Sequence, residues 1–222
     1  MEFVSYAAEA VTCRGVYFPA PSPADHPAPG ILLVPNLWGP NDYWNDVARQ
    51  YQQLGYAVMV VDLYGSTVRP ETYEAAQSEV AALKADRAAV RARMMAAFEA
   101  LAAREGVDRS RIATCGYCVG GMAALELGRA GGSVAAIVTF HGHLATDSPG
   151  DAVNLRCPVL VLHGAEDPAI PDEMVRAFLA EMRGAGCDWQ LVHFGGQVHA
   201  FTDKLANRPG VAQYDATTDR RS

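Results

Sequence analysis

The stretch Gly116-Tyr117-Cys118-Val119-Gly120-Gly121 decides the fold of this chain of 222 residues. It follows the strand-like run 111–115 and precedes the helix-like run 122–127. A tight turn from a strand into a helix strains its central residue, and flanking glycines remove the Cβ atoms that would collide there. The N–H groups that open the helix also favour a negative charge on the sulfur of Cys118. This pattern is typical of a nucleophile elbow with cysteine in place of serine. A glycine-rich turn around a buried structural cysteine is the alternative.

A nucleophile elbow requires an acid and a histidine later in the chain, in that order. Asp167 follows the strand-like run 158–163, and His199 follows the strand-like run 189–194. Cys118, Asp167 and His199 thus come just after the ends of predicted strands, where a parallel sheet collects its functional residues. Glu166 is the rival acid.

The remaining histidines fit other roles. His163 closes a predicted strand and His193 lies within one, so structural roles suit both. His141 and His143 follow the predicted strand 134–140 and should lie near the functional edge of the sheet. We expect His141 to line the substrate pocket.

The chain resembles the dienelactone hydrolases. The resemblance runs from Gly30 to Ser222 and rests on five segments that occur in the order of the family: Val34-Pro35-Asn36-Leu37-Trp38-Gly39, Val61-Asp62-Leu63-Tyr64-Gly65, Gly116–Gly121, Leu162–Asp167 and Gly195–Phe201. The resemblance implies an α/β-hydrolase fold and hydrolysis of small esters or lactones. It also implies a triad of Cys118 as nucleophile, His199 as general base and Asp167 as the acid that orients the histidine.

Two backbone N–H groups should stabilise the oxyanion of the reaction. One belongs to Val119, the residue after the nucleophile. The other, by resemblance, belongs to Leu37. Trp38 and Tyr43 are predicted to shape the pocket, although aromatic residues at these positions could also cap the core.

Asn36 and Asp203 depart from the family pattern. The family has glutamate at the first position, where the carboxylate couples deprotonation of the thiol to substrate binding, and an amide cannot take that proton. We therefore expect Asn36 to line the pocket and the free thiol of Cys118 to pair with His199. The alternative is that Asn36 hydrogen-bonds a neutral thiol.

An anionic lactone is a less favoured substrate for this chain. The family holds the substrate carboxylate with arginines, and Asp203 stands where one of them is expected. Arg69, Arg87 and Arg91 could substitute, but positions on helix surfaces suit them better.

Apolar strands that alternate with helices predict an α/β fold with a mostly parallel central sheet and helices on both faces. Residues 2–19 are expected to form two antiparallel strands, and the proline-rich residues 19–29 a surface loop. The other predictions are strands at 30–34, 57–61, 111–115, 134–140, 158–163 and 188–194, and helices at 43–54, at 71–104 in two pieces and at 171–183. Residues 1–222 are expected to form one domain in which the final amphipathic helix of the family is missing, with an uncovered sheet edge or an exposed apolar face as the consequence.

Composition limits the classes of function. The net charge of −7 without a basic stripe argues against nucleic acid and anionic membranes as partners. A mean hydropathy of +0.00, with no apolar run of membrane-spanning length, indicates a soluble protein. Five scattered cysteines suit a reducing compartment, and the cytoplasm is the expected location. We expect no metal and no other cofactor, because ligand clusters and phosphate-binding loops are lacking. Whether the protein is a monomer or a dimer is left open.

Two other functions remain open at this stage. A binding or receptor protein could have kept the hydrolase scaffold and lost turnover, and Asn36 and Asp203 give that hypothesis weight. A lyase or cyclase could use the same pocket, because fold alone does not define a reaction. Proteins of the glutamine-amidotransferase or DJ-1 type usually have histidine directly after the elbow cysteine, whereas this chain has Val119.

Overall fold

An eight-stranded sheet forms the centre of the molecule. The computed structural model describes residues 1–21 and 26–222. The strands are β1 (Glu2–Ala8), β2 (Val11–Phe18), β3 (Ala28–Val34), β4 (Ala57–Val60), β5 (Val107–Tyr117), β6 (Ile137–Phe140), β7 (Val159–Gly164) and β8 (Trp189–Phe194). They lie in the order β1-β2-β4-β3-β5-β6-β7-β8. The strands β1 and β2 form an antiparallel hairpin, β2 is antiparallel to β4, and all other neighbours are parallel.

Helices cover both faces of the sheet. They are α1 (Asp42–Gln53), α2 (Tyr73–Ala85), α3 (Arg87–Ala102), α4 (Val119–Arg129), α5 (Asp172–Ala185) and α6 (Ala216–Arg221). Helix α1 packs on β2 and β4, whereas α3 and α4 pack against each other and against the opposite face. In the described part of the chain, no helix has the length and apolar character needed to cross a membrane. The predicted α/β-hydrolase architecture is confirmed.

Strand β3 shows why the sheet is buried on both sides. Leu32 and Val34 belong to the core cluster beneath α3 and α4, whereas Ile31 and Leu33 belong to the cluster beneath α1. Side chains alternate between the two faces of a strand, so a continuous apolar run fills two cores at once.

The predicted break in the long helical stretch falls at Asp86. This residue ends α2, and its side chain accepts a hydrogen bond of 2.9 Å from the N–H of Ala89 in the first turn of α3. The aspartate therefore caps the second helix, and the cap fixes the change of direction between the two. Helix α2 packs on α3 rather than on the sheet, which leaves α2 free to form a wall of the site.

Some predicted boundaries move in the structure. Strand β3 begins at Ala28, inside the stretch predicted as a surface loop, and residues 22–25 of that stretch lie outside the described residues. Strand β5 begins at Val107, four residues earlier than predicted. On the α1 face, the side chains of Val138, Leu160 and Val192 are partly exposed.

Gly120 should be indispensable to the fold. An alanine Cβ at this position would fall on the carbonyl groups of Val34 and Pro35. Overpacking against backbone cannot be relieved by a change of rotamer, so we expect Gly120→Ala to lower the free energy of unfolding by about 3 kcal/mol or more.

Urea denaturation measures this effect. Gly184→Ala is the matched control, because Gly184 lies exposed in α5 with open space around its Cβ position. Helix propensity predicts that the free energy of unfolding of this variant equals that of the wild type or exceeds it by up to about 1 kcal/mol. Equal stability of the two variants would contradict the role given to Gly120.

Candidate active site

Cys118 stands on the strained turn that the sequence predicts. Its backbone has φ +57° and ψ −118°, and it is the residue directly before α4. Gly116 and Gly120 pass so close to each other, and Gly120 so close to the end of β3, that neither leaves room for a Cβ. The Cys118 side chain is half-buried and faces a cavity.

Backbone strain concentrates at this site. Among the described residues, four that are not glycine have positive φ, and three of these are Cys118, His141 (φ 41°) and Ala200 (φ 58°), which all line the same cavity. Such conformations cost energy and persist where the surrounding structure enforces them, often at functional sites.

The side chain of Asp167 is hydrogen-bonded to the imidazole of His199. Its Oδ2 atom lies 2.7 Å from Nδ1 of His199, and its Oδ1 atom accepts a hydrogen bond of 2.8 Å from the N–H of Ala169. Asp167 is buried, whereas its rival Glu166 is exposed to solvent. The structure therefore brings Asp167, rather than Glu166, to the histidine.

The loop after β7, which carries Asp167, and the loop after β8, which carries His199, are hydrogen-bonded to each other through their backbones. The N–H of Ala165 donates to the carbonyl of Phe194 at 3.0 Å, and the N–H of Glu166 donates to the carbonyl of Gln197 at 2.8 Å. At Gly164 a Cβ would meet the carbonyls of Gln197 and Val198 at 2.6 Å. Close backbone packing thus fixes the distance between Asp167 and His199.

Cys118 and His199 influence each other's ionisation. Burial raises the pKa of the Cys118 thiol, but His199, the N–H of Val119 and the ammonium of Lys84 outweigh it and lower the pKa overall. Burial lowers the pKa of His199, but the Cys118 thiolate and the Asp167 carboxylate outweigh it and raise the pKa overall. Both shifts favour a thiolate–imidazolium pair.

The two predicted oxyanion donors lie on adjoining elements. Val119 opens α4, and its N–H interacts with the sulfur of Cys118. Leu37 follows β3, and its N–H has no acceptor among the described residues, while its carbonyl accepts a hydrogen bond of 2.9 Å from the hydroxyl of Tyr64. The N–H of Leu37 is therefore unoccupied, whereas the N–H of Val119 would exchange the sulfur for a substrate oxygen.

Asn36 is engaged away from the thiol. Its Nδ2 group donates to Oδ2 of Asp203 at 3.0 Å, and its Oδ1 atom accepts from the N–H of Trp38 at 3.1 Å and from Nε1 of Trp44 at 3.3 Å. The amide is buried and joins the loop after β3 to the loop after His199. Among the described residues, the side chain of Asn36 forms hydrogen bonds with Asp203, Trp38 and Trp44. It forms none with the thiol of Cys118, whereas the alternative hypothesis required one.

Asp203 stands where the family pattern has an arginine. Burial raises the pKa of its carboxyl, although the N–H of Leu205 and the side chain of Asn36 oppose the shift. When ionised, this carboxylate would repel an anionic substrate group, and the expectation that an anionic lactone is disfavoured stays a prediction.

A cavity of about 580 Å³ opens above Cys118 and His199. Of the residues predicted to shape it, Asn36, Trp38 and His141 line it, together with the oxyanion residues Leu37 and Val119. Tyr43 does not: it lines a separate groove, and its hydroxyl donates to the carbonyl of Thr202 at 3.4 Å. The prediction for Tyr43 is corrected, because α1 carries this residue away from the cavity mouth.

Sequence reasoning missed one whole wall of the cavity. Helix α2 contributes it, and the segment 205–212, which includes the short strands β9 (Asn207–Arg208) and β10 (Ala212–Gln213), contributes the rim. The lining residues that had not been singled out are Tyr73, Gln77, Val80, Ala81, Lys84, Ala169, Ile170, Leu205, Ala206, Asn207, Arg208, Val211 and Ala212. Periodicity identifies α2 as a helix, but no local signal reveals that it faces the site.

A buried ionic network holds the loop after β6. Arg129 pairs with Glu126 at 3.1 Å and with Glu181 at 2.7 Å, and its Nη2 group donates to the carbonyl of Leu144 at 3.1 Å. Arg91 binds the other oxygen of Glu126 at 2.7 Å. Because each buried charge has a partner, the network fixes the loop that carries His141 and His143.

The three candidate arginines lie outside the cavity lining. Arg69 pairs with Asp62 at 3.3 Å, and Arg91 also pairs with Asp151 at 2.5 Å. Arg87 donates to the carbonyl of Ala145 at 3.4 Å. In the part of the chain that the structure describes, no group of three or more histidine, cysteine, aspartate or glutamate side chains is arranged to hold a metal.

Comparison with known proteins agrees with this geometry. Residues 16–222 match the model of the dienelactone hydrolase family. A probable 2-oxo-3-(5-oxofuran-2-ylidene)propanoate lactonase from a Bradyrhizobium species is 29% identical over 196 residues, which cover 83% of this chain and 79% of the relative. The crystal structure of a dienelactone hydrolase-like promiscuous phosphotriesterase from metagenomic libraries has a TM-score of 0.92 and 38% identity, covering 99% of this chain and 92% of that one.

A more distant structure, the dienelactone hydrolase from Anabaena variabilis, shares the fold with a TM-score of 0.65 and 21% identity, over 91% of this chain and 89% of that one.

The fold and the elbow place this protein among the α/β-hydrolases. The chain belongs to the dienelactone hydrolase family, and its enzyme class is hydrolase acting on ester or lactone bonds.

The bond between Asp167 and His199 generates a test of the site. Asp167→Asn keeps the shape of the side chain but removes the charge that orients the imidazole, so we expect kcat for p-nitrophenyl acetate to fall by about 10³–10⁴. Glu166→Gln is the matched control, since this neighbouring acid is exposed, and its kcat should equal that of the wild type. A large loss in Glu166→Gln with little loss in Asp167→Asn would assign the acid to Glu166.

Proposed function

We propose that this protein hydrolyses a small, uncharged ester or lactone through an acyl-thioester on Cys118. His199 acts as the general base and acid, and Asp167 holds its imidazole in place. The observation that carries the proposal is the hydrogen-bonded pair of Asp167 and His199 beside a cysteine on a strained elbow.

In the first half of the reaction, the thiolate of Cys118 attacks the carbonyl carbon of the substrate and forms a C–S bond. The carbonyl π electrons move to oxygen, and the N–H groups of Leu37 and Val119 stabilise the resulting oxyanion. When the oxyanion collapses, the C–O bond of the ester breaks, and the alkoxide takes a proton from the imidazolium of His199. In a lactone the new hydroxyl stays attached to the acyl group.

In the second half, neutral His199 takes a proton from a water molecule as that water attacks the thioester carbonyl. The oxyanion forms again and collapses, the C–S bond breaks, and the thiolate leaves. The product departs as a carboxylic acid. Because the proton taken from water stays on His199 and the sulfur leaves as a thiolate, the thiolate–imidazolium pair of Cys118 and His199 is restored.

The cavity favours a small substrate with apolar groups. Its volume of about 580 Å³ lies in the ordinary range for small-molecule sites. Val80, Ala81 and Ile170 form apolar walls, while Asp203 opposes an anionic substituent near His199. An uncharged acyl or alkyl group therefore fits better than a dicarboxylate.

Replacement of the nucleophile tests the mechanism directly. Cys118→Ala should keep the fold and reduce kcat/KM for p-nitrophenyl acetate to less than a few per cent of the wild-type value. Cys115→Ala is the matched control, because burial raises the pKa of that thiol to about 11, so it is protonated and unreactive at neutral pH.

The assay also separates the hydrolase from the alternative functions. A wild-type protein that binds esters without turning them over would indicate a binding protein, and residual turnover in Cys118→Ala would exclude the thioester. A panel of acyl chain lengths and lactone ring sizes would then define the natural substrate class.

A neutral phosphotriester is a second candidate substrate. The observation in its favour is the likeness to the promiscuous phosphotriesterase, whose chain is matched over 92% of its length. We expect diethyl 4-nitrophenyl phosphate to release 4-nitrophenolate in the wild type and not in Cys118→Ala. Release of more than one equivalent per enzyme would establish turnover, whereas a single equivalent would show that the phosphorylated thiol does not hydrolyse.

A further inference from the structure

Lys84 is a charged residue of the cavity that the reaction above does not use. It lies in the last turn of α2, is half-buried, and lines the same cavity as Cys118. Its ammonium makes no ion pair and no hydrogen bond with the residues that the structure describes. The other lysine of the chain, Lys204, is exposed and lines a separate groove.

Several elements bring titratable groups toward Cys118. They come from the loops after β4, β6 and β8, from the segment that follows His199, and from α2. Those that line the cavity or act on the thiol are Tyr64, Tyr73, Lys84, His141, His143, His199, Asp203 and Arg208.

Three of these groups are uncharged at neutral pH. Burial and nearby acidic groups raise the pKa of the Tyr64 hydroxyl, which stays protonated. Burial lowers the pKa of His143 to about 4 and that of His141 well below its ordinary range, so both imidazoles are neutral. The carboxylate of Asp203 accepts a hydrogen bond from Asn36. Two cations besides His199 line the cavity. The guanidinium of Arg208 lies over the ring of Tyr73, 4.8 Å from its centroid, whereas the ammonium of Lys84 has no such partner among the described residues.

The surroundings make the charge of Lys84 effective. On its own helix, Val80 and Ala81 line the cavity beside it, and such an apolar, partly enclosed space screens charges less than bulk water does. Burial and the neighbouring guanidinium of Arg87 lower the pKa of Lys84, whereas a thiolate at Cys118 raises it. By linkage, an ammonium that a thiolate stabilises must stabilise that thiolate equally.

We infer that Lys84 is a second counter-charge which, beside the imidazolium of His199, favours the ionised form of Cys118 in the free enzyme. The inference rests on the proposed function only in treating Cys118 as the reactive thiol. Lys84 adds a fixed positive charge to the transient one on His199, so the thiolate persists when substrate enters and displaces water. The same charge gives the space around the sulfur a positive potential, which an anionic reagent would detect.

The first measurement is the pH dependence of alkylation of Cys118 by iodoacetamide, followed by mass spectrometry of the peptide that contains this residue. Lys84→Met keeps the apolar stem and removes the charge, and we expect the apparent pKa of the thiol to rise by about one pH unit. Lys84→Arg should restore the wild-type profile. Lys204→Met is the matched control and should leave it unchanged.

The second measurement compares iodoacetate with iodoacetamide above the pKa of the thiol. The ratio of their rate constants reports the local potential and is independent of the fraction of thiolate. We expect the ratio to fall several-fold in Lys84→Met and to stay constant in Lys204→Met. If Lys84 had only a structural role, Lys84→Met would leave this ratio unchanged as long as the neutral reagent, iodoacetamide, reacts at its normal rate.

An unchanged pH profile together with an unchanged ratio in Lys84→Met would overturn the inference. If Lys84→Met loses its native circular dichroism spectrum, Lys84→Gln provides the same comparison. The proposed function is judged separately: alkylated wild-type enzyme that retains esterase activity would refute Cys118 as nucleophile, whatever the effect of Lys84 on its ionisation.

Discussion

The close approach of α4 to the end of β3 is the constraint on which the rest of the structure depends. Gly120 leaves no space between its own backbone and the carbonyls of Val34 and Pro35, so the helix begins directly against the sheet. The residue before it, Cys118, must then adopt a left-handed conformation that carries its side chain out of the sheet. The favourable packing of α4 against β5 and β6 offsets the energetic cost of this strained conformation. The position of the sulfur is therefore a property of the whole βα layer.

The same edge of the sheet collects the other groups of the site. Parallel strands end side by side, so the loops after β6, β7 and β8 bring His141, Asp167 and His199 next to the elbow. Backbone hydrogen bonds between the acid and histidine loops set the Asp167–His199 contact, and the buried network around Arg129 supports the loop of His141. Each group is thus held by packing outside the cavity, which preorganises the site before substrate binds.

Charge in the cavity is distributed differently from the pattern that the family resemblance implied. The amide of Asn36 replaces a carboxylate, and the carboxylate of Asp203 lies across from it as its hydrogen-bond acceptor. Because Asn36 is hydrogen-bonded to Asp203, the thiol of Cys118 interacts instead with His199 and with the positive charge of Lys84. One hydrogen bond therefore joins the two positions that depart from the family pattern, 36 and 203.

The sequence by itself determined the α/β architecture, because apolar strands buried on both faces and alternating helices have distinct periods. It also predicted Cys118, Asp167 and His199 as one group, from the elbow glycines, from the ends of successive strands and from the resemblance to the family. It could not place Tyr43 outside the cavity, nor α2 and Lys84 inside it, because the direction of a helix face depends on what packs behind it. Only the tertiary structure decided that Asn36 binds Asp203, 167 residues away, because a contact of such separation leaves no local trace in the chain.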